Sequence, residues 1–130
     1  MDLAAFLLAR IAEDEALARA AHDTRARWWR YKRSQTHGVW ASAEEGGPGR
    51  RVAYAATSAD QDHITHWDPT RVLVECKAKR RMVTLHHPAP SDDAAAGRCQ
   101  HDGQRHPCPT LRLLALVYGD HFDYRQEWRP

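Results

Sequence analysis

Along the first part of the chain, apolar residues recur three or four positions apart. Leu3, Phe6, Leu7, Ile11, Asp14 and Leu17 fall on one side of a helical wheel, and all but Asp14 are apolar, while Arg10, Glu13, Glu15 and Arg19 lie elsewhere. This spacing predicts an amphipathic helix over residues 2–22 that buries its stripe on a core, as most surface helices do. The pattern then changes. Residues 25–33 read as a strand with Trp29 and Tyr31 on one face and Trp28, Arg30 and Lys32 on the other. After a turn around residues 34–38, Val39, Trp40 and Ala41 form a short strand candidate. A glycine-rich loop over residues 44–49 leads to a third candidate over residues 51–56. Three short strands suggest a small antiparallel sheet, which needs helices on one face to be stable.

The helical period returns in the stretch from Asp60 to His87. Asp68-Pro69 reads as a helix start: aspartate at the N-cap accepts backbone N–H bonds, and proline loses a donor that would be orphaned at the first helical position anyway. No glycine or proline interrupts residues 70–86, and Val72, Leu73, Cys76, Met82, Val83 and Leu85 supply the apolar positions of a long helix. Upstream, Ser58 or Asp60 is placed to cap a shorter helix that stops before Asp68, so the two helices meet at a corner. Residues 88–97 read as a loop. Pro109 or Thr110 opens a last helix reaching Tyr118, apolar nearly all round and therefore expected at the centre of the core, with Gly119 as its C-cap. The aromatics Phe122, Tyr124 and Trp128 of the tail are expected to pack back on the body. The fold class predicted is α+β in one domain over residues 1–130: an N-terminal helix, a small antiparallel sheet, a cornered helix pair, an irregular loop tied by zinc if a site forms, and a C-terminal core helix.

Composition narrows the function classes. The chain has 130 residues, 28% of them charged and 42% hydrophobic, which is the balance of a globular protein. A formal net charge of +2 does not by itself argue for nucleic acid. The basic residues are 16 Arg and 3 Lys, a bias that a GC-rich coding genome explains more simply than bidentate recognition does. No apolar run approaches the roughly 18 residues that span a bilayer, and the first residues lack a basic signal-peptide start. A cytoplasmic protein without a membrane partner is expected. Three cysteines are an odd number in a reducing compartment, which argues against a disulfide framework.

Two clusters carry candidate chemistry. Between Cys99 and Cys108 lie His101, Asp102 and His106, and His86 ends the preceding helix. Zinc takes thiolate and imidazole ligands, and a structural ion can replace the core that an irregular loop cannot build. The spacing has no Cys-x-x-Cys, because Asp102 occupies the second position. If a site forms, its ligands are His86, Cys99, Cys108 and one of His101, Asp102 or His106; otherwise these are ordinary thiols and solvated histidines. A further reading makes Cys108 reactive, since an N-cap position before Pro109 would lower its pKa. The second cluster is basic and aromatic. Arg27, Trp28, Arg30 and Lys32, with Lys77, Arg80 and Arg81 on the long helix, offer cations for phosphate and rings for base stacking. A half-buried strand and a solvated helix face account for the same residues. His63 and His66 share a helix face and could form half a metal site, although polar helix positions are the commoner use.

Two blocks together resemble a family of small uncharacterised actinobacterial proteins classed only as a domain of unknown function. The first is Asp62-His63-Ile64 with Asp68 to Leu73, Glu75, Lys77 to Arg81 and His86; the second runs from Pro107 to Ala115 and on through Tyr118, Asp120-His121, Asp123-Tyr124 and Glu127-Trp128. The N-terminal helix and Trp29-Arg30 are similar as well, so the likeness spans most of the chain. The resemblance implies no known activity. Its central segment is similar to pieces of small phage and prophage proteins, which implies a mobile-element origin. Relatives carry a Cys-x-x-Cys similar to a zinc knuckle, and Asp102 stands here in place of its second cysteine.

Three functions follow as expectations. One is a non-enzymatic binding or adaptor module with structural zinc, whose partner is an unknown protein. Another is a nucleic-acid-binding accessory protein. The third is a zinc or thiol enzyme, which would need an open coordination position or a perturbed Cys108 in a cleft.

Overall fold

A computed structural model describes residues 1–22, 28–30, 38–42, 50–54, 57–90, 92 and 94–130, the side chains at 28, 30 and 42 excepted. The architecture is α+β. Helix α1 (Leu3–Ala21) is followed by strands β1 (Trp28–Arg30), β2 (Gly38–Ser42) and β3 (Arg50–Tyr54), then by α2 (Ser58–His66), α3 (Pro69–Leu85) and α4 (Pro109–Ala115). The chain divides into two compact units, Met1–Glu13 with Cys76–Pro130, and Asp14–Glu75, so that the division falls within α1 and within α3. Among the described residues, no helix is long and apolar enough to cross a membrane.

In the unit Asp14–Glu75, the three strands pair antiparallel in the order β1-β2-β3. Trp29 lies opposite Ala41 and Val39 opposite Ala53, with a register shift between Val39 and Trp40. Val39 and Ala41 are buried, as alternate positions of a half-covered strand should be. A helix joins them: buried Gln61 of α2 donates its side-chain amide to the Gly38 carbonyl at 3.4 Å. Thr57 caps α2, with Asp60 returning the bond to the Thr57 N–H, a reciprocal capping box. The cap is therefore neither Ser58 nor Asp60; Asp60 is the third helical residue and supports the cap from inside. Asp68 caps α3 as the sequence predicts, its Oδ1 accepting the Arg71 N–H at 2.8 Å.

Leu17 departs from its expected place. It is 72% exposed, while Ala18 is buried. A helix turns about 100° per residue, so Ala18 lies only about 20° from Ile11 around the axis, whereas Leu17 lies about 120° away. The small residue continues the buried line.

In the other unit, Leu3, Phe6, Leu7 and Ile11 of α1 are buried. The Phe6 ring meets Tyr118, His121, Tyr124 and Trp128 at centroid distances of 6.3, 5.7, 6.0 and 5.0 Å. Tyr124 and Trp128 do pack back on the body, whereas Phe122 is 88% exposed. Helix α4 is shorter and less central than its apolar sequence predicts: it ends at Ala115 and tightens into a 3-10 turn over Leu116–Tyr118 that closes at Gly119. Leu111 and Ala115 are buried, but Leu113, Leu116 and Val117 are exposed. An amphipathic packing site accepts one face of a helix whatever covers the other.

Candidate metal centre

Four side chains meet in the unit that holds both termini. His86 continues the backbone ladder of α3, its N–H bonding the Met82 carbonyl at 3.1 Å. Cys108 is the N-cap of α4, with Pro109 following at the first helical position. Between them the chain makes a compact knuckle. The Cys99 N–H donates to the Gln104 carbonyl at 2.7 Å, and the Gly103 N–H returns to the Cys99 carbonyl at 2.9 Å. Gly103 has φ +68°, a left-handed conformation that glycine adopts without strain. This turn brings Asp102 round to face Cys99. Asp102 Oδ1 accepts the Gln104 N–H at 3.0 Å, which leaves Oδ2 directed at the cluster.

Three atoms converge on one nitrogen. Cys108 Sγ lies 3.3 Å, Cys99 Sγ 3.4 Å and Asp102 Oδ2 3.4 Å from His86 Nδ1. The four ligand atoms all lie within 4.8 Å of one another. A ring nitrogen has a single lone pair or a single N–H, so it cannot bond three neighbours at once. A cation can. With zinc–sulfur bonds of about 2.3 Å and zinc–nitrogen bonds of about 2.0 Å, a tetrahedron has nitrogen–sulfur edges of about 3.5 Å. The contacts have that size, and the donor set of two thiols, one imidazole and one carboxylate suits zinc chemically.

Burial and charge agree with such a closed arrangement. His86, Cys99 and Cys108 are buried, and the Asp102 side chain keeps 26% of its surface exposed. The backbone N–H of Gln104 holds the Asp102 carboxyl below the usual carboxylate range, with the two thiols and His86 adding to the effect against some desolvation. Burial pushes the Cys108 thiol up, although the Leu111 amide at the helix start pulls the other way. This corrects the expectation that an N-cap position would lower its pKa: removal from water outweighs the dipole of a short helix.

The other described residues singled out in the sequence are not among the four. His101 is exposed, and its ring sits edge-on to that of His86 with centroids 4.6 Å apart. His106 is half-buried, its pKa lowered chiefly by burial, and its Nε2 is enclosed with no partner among the described residues. His63 and His66 belong to no metal-ligating group among the described residues; they line a shallow cavity of about 580 Å³ with Trp29, Asp62 and Thr65. Lys77 and Arg81 are exposed on α3, and Arg80 is half-buried. Arg27 and Lys32, and the side chains of Trp28 and Arg30, lie outside the described residues. Sequence reasoning overlooked the supports of the site, Gly103 and the Gln104 amide. The Asp102-Gly103 dipeptide, a turn signal, was the clue available for both.

The model of a family of unknown function, DUF6221, matches residues 1–130. The chain belongs to the DUF6221 family. No curated protein and no solved structure matches it. For this DUF6221 protein the functional reading therefore rests on its own geometry.

Proposed function

We propose that this protein is a small non-enzymatic binding or adaptor module whose loop between Cys99 and Cys108 is tied by a structural zinc ion, with His86, Cys99, Asp102 and Cys108 as ligands. The observation that carries the reading is the convergence of two sulfurs and a carboxylate oxygen on His86 Nδ1 at 3.3–3.4 Å. The same observation speaks against a thiol nucleophile. A Cys-His-Asp triad uses opposite ring nitrogens for the nucleophile and the orienting carboxylate, whereas here all contacts share one. Four protein donors leave no coordination position for a substrate, which is the pattern of structural zinc.

Metal analysis on tag-free protein tests the reading. About one zinc per chain is expected, lost in both Cys99→Ser and Cys108→Ser. Chelation should lower stability by about 4 kcal/mol relative to protein in free zinc at about 1,000 times its Kd, read by denaturant unfolding. Protein that takes up no zinc, even when refolded with it, would end this reading.

A nucleic-acid accessory role, with the mobile-element origin implied by the family likeness, is the second reading. It is supported by Lys77 and Arg81, exposed four residues apart on α3. Binding to single-stranded DNA or RNA that weakens steeply with salt, and weakens further in a Lys77→Ala and Arg81→Ala double variant, is the expected result. No binding at low salt would dismiss it.

A further inference from the structure

A thiol pair held beside one metal position can respond to oxidants as well as hold the metal. We propose that Cys99 and Cys108 form a reversible modification site, at which a two-electron oxidant of the peroxide class joins them in a disulfide and expels the metal. This rests on the metal reading above. The two sulfurs approach the same nitrogen, at 3.4 and 3.3 Å, and lie within 4.8 Å of each other. Pairing requires them to close to about 2.05 Å, a movement that a chain segment can supply if one side is adjustable.

Cys99 is on such a segment. Its knuckle is irregular, and Arg98, Gln100, His101, Asp102, Gly103, Gln104 and Arg105 around it are all exposed. Its fold rests on a small set of backbone bonds, those of Ala89 to Arg98, Cys99 to Gln104, Gly103 to Cys99 and His106 to Gly97 among them. Segments with exposed backbone bonds and little buried apolar surface open locally at low free-energy cost. Cys108, by contrast, is fully buried at the start of α4. Asp102, the one partly exposed ligand, marks the side from which a small oxidant can enter.

The step balances with peroxide alone. The Cys99 thiolate attacks one peroxide oxygen, the O–O bond breaks, and the departing hydroxide takes a proton to become water, leaving a sulfenic acid. The Cys108 thiolate then attacks the Cys99 sulfur; the S–S bond forms, the S–O bond breaks, and the second hydroxide takes a proton. Two sulfurs have been oxidised by two electrons together, peroxide has been reduced to two waters, and the metal has lost both thiolate donors. Cys76 is buried within α3 and outside the four-ligand group, which makes it an internal control.

The experiment treats the zinc-loaded full chain with hydrogen peroxide and follows zinc with a chromophoric chelator, alongside intact mass and peptide mapping. The expected result is zinc release in step with a Cys99–Cys108 cross-link, a mass lower by two hydrogens, and recovery of both thiols and zinc uptake after a dithiol reductant. Cys76→Ser should behave as the parent, and Cys99→Ser should form no intramolecular link. Zinc release without the link, a link to Cys76, or oxidation that runs on to sulfinic acid on Cys99 would overturn the proposal. A chain that binds no zinc but still forms the link would remove the metal reading and the release step together, and so be distinguishable from a failure of the thiol pair itself.

Discussion

The aromatic cluster around Phe6 and the cluster of His86, Cys99, Asp102 and Cys108 belong to the same unit, and they offer different physics for holding their surroundings. Phe6 is fully buried among rings contributed by Tyr118, Tyr124 and Trp128. Burying one such side chain is worth about 1.5–3 kcal/mol, and the edge-to-face contacts add to it. Each ring contributes on its own, so the cluster tolerates imperfect geometry. The knuckle has almost nothing apolar to bury. Cys99 and Cys108 are its buried thiols, and two thiolates beside a carboxylate would repel each other without a cation among them. Area stabilises the first region gradually, whereas on the zinc reading the second would depend on four atoms and one ion together. A short apolar helix can therefore leave apolar residues exposed, as α4 does, while on the zinc reading loss of any one of the four donor side chains would undo the knuckle's tie.

The contrast can be broken first at Phe6. Phe6→Ala should destabilise the protein by about 3–5 kcal/mol, measured by denaturant unfolding, with zinc stoichiometry unchanged in the folded protein. Loss of zinc from a still-folded Phe6→Ala variant would mean that the two regions are one support. The next largest effect is expected at Gly103. A Cβ there would meet nothing within 4 Å, so only the left-handed backbone is penalised. Gly103→Ala should cost roughly 1–2 kcal/mol and weaken zinc binding about tenfold, read by chelator competition. Wild-type zinc affinity in that variant would show that the knuckle is not held by its backbone turn.

The smallest effect concerns charge at the edge of the aromatic region. Arg10, buried over the Phe6 ring, donates through Nε to Glu13 at 2.8 Å and through a second nitrogen to His121 Nδ1 at 3.2 Å. The bond from Arg10 holds the Glu13 carboxyl below its ordinary range. A carboxyl lowered in the folded state adds stability that is present above its unfolded pKa of about 4.3 and is lost as the pH falls through the lower folded value. NMR titration should find Glu13 below the ordinary glutamate value in the parent and returned to it in Arg10→Met. An unmoved Glu13 would dismiss the pairing.

Much of the fold is written in local pattern. The Asp68-Pro69 helix start, the strands at Trp29 and Val39, and the line Leu3, Phe6, Leu7, Ile11 depend on spacing and on backbone chemistry that neighbouring residues supply. The cap of α2 falls on Thr57, one residue before Ser58 and three before Asp60; all three are good capping types, and only the reciprocal bond between Thr57 and Asp60 distinguishes them. Leu17 and the outer face of α4 are exposed despite their apolar side chains, because hydrophobicity states a preference for burial, while what lies opposite decides whether burial occurs.

The candidate site divides along the same line. Sequence alone determined that Cys99, Cys108 and His86 are the residue types from which a zinc site is made, and that the loop between them cannot build an apolar core of its own. It left His101, Asp102 and His106 equivalent, since each is near enough along the chain. Of these three, the tertiary structure groups Asp102 with His86, Cys99 and Cys108. A left-handed glycine after Asp102 and the Gln104 amide on its carboxylate bring that oxygen to 3.4 Å from His86 Nδ1, while His101 stays at the surface and His106 is half-buried outside the group. Which side chains come together is a matter of ångströms between atoms far apart in the chain, and residue type and spacing do not carry that information.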